Sequence, residues 1–135
     1  MARVTKPSEL ELAILKVLWQ GQERQETPLP VREVRMRLMV TGRELAHTSV
    51  ITMLNIMVGK KLVTRARRKN ALYFAPAVAA KAVKQNEIGD ILRRVFDGSA
   101  EQMMSALLDS EDIDAESIVE IKRLIAAKVK ELNQK

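Results

Sequence analysis

The 135-residue chain has no cysteine and a single histidine, His47. Disulfides, thiol nucleophiles, iron–sulfur clusters and thiolate-held metals are therefore excluded, and one imidazole cannot make a zinc centre of the usual kind. No metal or cofactor is expected. Aromatics are as scarce: Trp19, Tyr73, Phe74 and Phe96 are the whole set, which leaves few for the base stacking that RNA recognition uses. No apolar run approaches the ~18 residues of a transmembrane helix, and Met1-Ala-Arg-Val-Thr-Lys-Pro7 lacks the apolar core of a secretory signal. The expectation is a cytoplasmic protein with no membrane insertion. There is also no P-loop, no G-x-G-x-x-G, no H-E-x-x-H and no nucleophile–base set around His47, so no enzyme is expected.

What is present is positive charge, and it is unevenly placed. The chain carries 23 Lys and Arg against 17 Asp and Glu. Residues 1–76 hold 14 basic and 6 acidic side chains, whereas residues 77–135 hold 9 and 11. A basic module followed by a slightly acidic one suggests a polyanion-binding part and a part with another task.

The hydrophobic pattern divides the chain in the same way. Ser8 and Glu11 form a capping box ahead of an apolar stripe of Leu10, Ala13, Ile14, Val17 and Leu18, extended by Trp19 and stopped by Gly21. Residues 21–30 are polar, contain two prolines and read as a loop. Val31, Val34, Leu38 and Met39 mark a second helix, with Arg32, Arg35 and Arg37 outside its stripe. A third helix spans about Ala46 to about Val58. At about 100° per residue, Val50, Met53, Leu54 and Met57 share one side of it, while Thr48, Ser49, Thr52, Asn55 and Ile56 share the other. An ordinary exposed face would carry Glu and Lys. Short hydroxyls and an amide suit a helix that lies against a partner and exchanges hydrogen bonds with it.

Beyond Gly59 the period changes to that of strands. Residues 62–67 and 71–75 read as a hairpin closed by Pro76, with Asn70 at the turn position of positive φ. Its tip carries Arg67, Arg68 and Lys69. Three adjacent cations repel one another and are better placed against phosphates than in free solution. The remainder reads as helical, from Ala77 to Phe96, then from a Ser99 cap, then from an Asp114 cap. Its 59 residues are too few to bury a comfortable core alone. Ile88, Ile91, Leu92, Val95, Ile118, Ile121 and Ile125 are accordingly expected at the interface of a homodimer.

Three helices followed by a basic hairpin predict a mainly α chain: a winged helix-turn-helix over 1–76 and a three-helix dimerisation domain over 77–135. Thr48, Ser49, Thr52 and Asn55 are the candidate base readers on double-stranded DNA. Arg43, Lys60, Arg65, Arg67, Arg68 and Lys69 are the candidate phosphate contacts. The competing expectation is a non-specific architectural or RNA-binding protein, because a net +8 on a small module attracts any phosphate backbone.

Four segments carry a resemblance to a known family: Glu11-Leu-Ala-Ile-Leu-Lys-Val-Leu-Trp19, Val31-Arg-Glu-Val34, Ala46-His-Thr-Ser-Val-Ile-Thr-Met-Leu54 and Leu72-Tyr-Phe-Ala-Pro76. Together they resemble the BlaI/MecI penicillinase repressors over nearly the whole chain. The resemblance implies a dimeric repressor on pseudo-palindromic operators built around TACA/TGTA steps, with recognition positions at Thr48, Ser49 and Thr52. It also implies release by proteolysis in the dimerisation domain, set off by a membrane-bound sensor protease. The cleaved segment maps to about Met103–Leu108, where Ala106-Leu107 replaces the Asn-Phe bond of the staphylococcal type; Met103, Met104 and Leu107 read as core before they read as a protease signal. Ile56 stands where the family commonly has arginine, and His47 where it often has tyrosine or proline. The 21–30 loop is longer than usual, and without C-terminal cysteines there is no thiolate site for copper.

Overall fold

The computed structural model describes residues 6–134. Met1–Thr5, on which the expectation about a secretory signal partly rests, lie outside the described residues, as does Lys135. The chain divides into two compact units, Met1–Ile88 and Gly89–Lys135.

The first unit opens on the expected capping box. Glu11 N–H donates to Ser8 Oγ at 3.2 Å and Ser8 N–H donates to Glu11 Oε1 at 2.8 Å, which starts α1 (Glu9–Glu23). This helix does not stop at Gly21 as the sequence suggests. It continues to Glu23, and Gln25 takes the positive φ of 59° that ends the turn. Gly21 is buried inside α1, where a Cβ would lie 3.3 Å from Leu29 Cδ1. Its missing side chain admits Leu29 against the helix. Residues 21–30 are correspondingly more than a loop, because Leu29–Pro30 form a short strand, β1.

Pro30 then leads into α2 (Val31–Val40), and a turn leads to α3 (His47–Gly59). Strand β2 (Val63–Arg68) and strand β3 (Ala71–Pro76) form the hairpin, in register from Val63 opposite Pro76 to Arg68 opposite Ala71. With β1 pairing to β3 on its other side, the sheet has three antiparallel strands in the order β1-β3-β2. At the hairpin turn Lys69, not Asn70, adopts the positive φ, at 57°.

The core of this unit lies between the three helices and one face of the sheet. It contains Ile14, Leu15, Leu18, Leu29, Val34, Leu38, Val50, Leu54, Met57, Leu62 and Phe74. Four residues of the expected stripes sit nearer the surface: Met39 is exposed, and Leu10, Ala13 and Met53 are half-buried. Trp19 closes the core, donating from Nε1 to the Val78 carbonyl at 2.9 Å. Val83 is also buried in it. The first unit therefore runs past the 76/77 boundary suggested by composition. The helix expected from Ala77 begins at Ala80, as α4 (Ala80–Arg94).

The second unit contains the end of α4, then α5 (Ala100–Leu108) and α6 (Ala115–Asn133). Asp97 and Gly98 take positive φ between α4 and α5. Ser99 accepts from Gln102 N–H to start α5, and Asp114 accepts from Ser117 N–H to start α6. No described residue from Gly89 onward is buried. No described helix is long and apolar enough to cross a membrane.

Candidate nucleic-acid interface

Helix α3 has one face fixed by the core and one open to solvent. Val50, Leu54 and Met57 are fully buried, whereas Thr48, Ser49, Thr52, Asn55 and Ile56 are all exposed. The four expected base-reading positions thus share one accessible surface. Ala46 provides no side-chain cap at the start of α3. The N–H groups of the first turn remain available to an anion. Arg35 holds this start in place, donating from Nε to the Leu45 carbonyl at 2.8 Å.

The hairpin places its cations by the alternation of a strand. Val63, Arg65 and Arg67 share the face of β2 that lies over the core, with Arg65 opposite the buried Phe74. Arg68 lies on the other face, its guanidinium 5.8 Å from the centre of the Tyr73 ring. Lys69 occupies the turn. The three tip cations are exposed, but they point in different directions.

The other three expected phosphate contacts are all engaged within the protein. Arg43 donates to Glu9 at 2.9 Å. Lys60 Nζ donates to Glu11 Oε2 at 2.9 Å, across the end of α3 to the start of α1. Arg65 Nη1 donates to Asn55 Oδ1 at 2.6 Å. Glu11 is a structural anchor that the sequence disclosed only in part, since its capping role is local and its pairing with Lys60 is not. Burial pushes its carboxyl upward, but the Ser8 N–H, Lys60 and the Ser8 hydroxyl outweigh that and hold it below the ordinary 4.5.

The expected dimerisation residues sit on the later helices, each with surface to spare. Ile91, Leu92 and Ile121 are half-buried, while Ile88, Val95, Ile118 and Ile125 are exposed. On α5, Met103 is half-buried and Met104, Ala106 and Leu107 are exposed. Among the described residues no group of His, Asp and Glu could hold a metal ion.

Comparison with known proteins identifies the family. The penicillinase repressor family model matches residues 7–127. The transcriptional regulator BlaI of Mycobacterium tuberculosis, in strains CDC 1551 and H37Rv, is 31% identical over 102 residues, which is 76% of this chain and 70% of that protein. The crystal structure of MepR, a transcription regulator of the Staphylococcus aureus multidrug efflux pump MepA, aligns at a TM-score of 0.42 and 16% identity, over 89% of this chain and 78% of that one. The chain is a winged-helix transcriptional regulator and belongs to the penicillinase repressor family.

Proposed function

We propose that the protein is a repressor that binds a pseudo-palindromic DNA operator as a homodimer. One observation carries this reading: an exposed, uncharged, hydrogen-bonding face on α3 lies beside a hairpin tipped with Arg67, Arg68 and Lys69. The groups on α3 donate and accept, and the Thr methyls pack on thymine methyls, as major-groove readout requires. Arg67, Arg68 and Lys69 neutralise phosphates and set register without reading sequence. Two copies related by a two-fold axis then read two half-sites about 34 Å apart, or a multiple of that.

The exposed faces of α4 and α6 supply the surface for pairing. Ile118, Leu124, Ile125, Val129 and Leu132 are all exposed along α6, which is a poor arrangement for a chain that remains single. Cleavage within Met103–Leu108 as the route to release belongs to the same proposal. α5 has no buried residue to hold it, so unwinding it into a protease cleft costs little. Limited proteolysis by a broad-specificity protease should make its first cut within α5; a first cut inside α1–α3 contradicts this part.

Two sets of substitutions test the division of labour. Replacing Thr48, Ser49 and Thr52 by alanine should remove the preference for operator over random DNA, at about 1–3 kcal/mol for each base-reading side chain removed. Replacing Arg67, Arg68 and Lys69 by alanine should weaken binding to both and reduce the salt slope by about one unit for each phosphate no longer neutralised. If the α3 variant keeps its discrimination, Thr48, Ser49 and Thr52 are not the base readers and this reading of α3 fails; wild-type protein that shows no discrimination is a non-specific binder.

A further inference from the structure

The exposed face of α3 carries no charged side chain, yet a cation is held on it. Arg65 comes from β2, on the sheet face it shares with Val63 and opposite Phe74, both of them buried. From there its Nη1 donates to Asn55 Oδ1 at 2.6 Å. The strand fixes the Arg65 backbone and the amide fixes its guanidinium. No such anchor is provided for the wing tip, where Arg68 lies over Tyr73 on the opposite face.

This bond changes what both residues can do on DNA. Asparagine reads adenine with its oxygen and its amide N–H together, and here one of the oxygen's two lone pairs is already taken and the amide is aimed at Arg65. Arginine has five N–H donors in a rigid fork, and one bond to Asn55 leaves the fork able to make a second, bidentate contact. The major-groove edge that matches it is guanine O6 and N7. We propose that Arg65 reads a guanine of each half-site from the α3 surface, and that Asn55 is the positioning residue that aims it. The roles expected from the sequence, Asn55 on a base and Arg65 on a phosphate, are thereby both revised. The inference rests on α3 being the major-groove helix.

The test uses full-length protein and the DNA upstream of its own gene, with the operator first located by footprinting. Guanines in each half-site are replaced singly by 7-deazaguanine, which removes the N7 acceptor. One replacement per half-site should weaken wild-type binding about tenfold and leave R65A unaffected. R65A should lower the ratio of operator to random-DNA affinity by about tenfold or more. R65K keeps the charge but not the fork, so it should retain affinity for random DNA and the salt slope while losing the same ratio. N55A should lose part of the ratio, and the N55A/R65A double variant should be no worse than R65A alone. Equal loss on operator and random DNA in R65A, an R65K that matches wild type, or a 7-deazaguanine effect that persists in R65A would each overturn the assignment. Wild-type protein that does not prefer the operator at all would overturn the functional reading as well, so the two failures are distinguishable.

Discussion

Glu11 is 1% exposed and carries a carboxylate next to the start of a helix. Such a group persists inside a core only when its oxygens are satisfied, and here Ser8 N–H takes one and Lys60 the other. The pair joins α1 to the end of α3, so it stiffens α3 from its far end. Because the Lys60 side chain is 42% exposed, solvent screens the attraction, and K60A should cost about 1–2 kcal/mol in urea unfolding. The pH dependence follows from the depressed carboxyl. Its folded value lies below the ordinary 4.5, so its contribution is fully present above the unfolded value and is lost as pH falls through the folded one. Unfolding midpoints measured from about pH 6 to about pH 3 should therefore drop more steeply for wild type than for E11Q; parallel curves would show that Glu11 is not a stabilising charge.

Among the elements, β1 shows most clearly how a short segment positions a larger one. Leu29 is buried between Gly21 of α1 and the sheet, and Leu29 and Pro30 pair with Phe74 and Tyr73 of β3. L29A should cost about 2–4 kcal/mol as the methyl groups are removed and a cavity remains; a cost under about 0.5 kcal/mol would place Leu29 outside the core. G21V should also destabilise, by about 1–3 kcal/mol, because its side chain would be forced against Leu29. The α3 surface and the hairpin were legible in the sequence because their signals are periodic: a core side of Val50, Leu54 and Met57, and two runs of β formers around a turn. β1 was not, since two residues carry no period at all. Gly21 misleads for a related reason, as glycine before a polar stretch resembles a helix stop, and only the distant Leu29 explains its presence inside α1. The Arg65–Asn55 and Lys60–Glu11 bonds join residues far apart in sequence, and no local pattern encodes them.

At the scale of the whole molecule, the two compact units differ in kind. Met1–Ile88 has a closed core, completed by Val83 and by the Val78 carbonyl that receives Trp19. A fragment ending at Ile88 should accordingly melt higher than one ending at Pro76; equal melting would show that the start of α4 adds nothing. The unit Gly89–Lys135 buries no described residue and exposes an apolar stripe on α6. If a second copy covers that stripe, melting temperature should rise with protein concentration, and I125E should yield monomers with much weaker operator binding. Constant mass and constant melting temperature across concentration would contradict pairing. The most direct test of sequence-specific repression is an electrophoretic shift on the DNA upstream of the protein's own gene, at two salt concentrations and against random competitor. Specific recognition by α3 predicts a discrete complex that survives about 150 mM salt and excess competitor, with a footprint of two inverted half-sites. Loss of binding to salt and competitor together would contradict it and leave only a basic surface that attracts any nucleic acid.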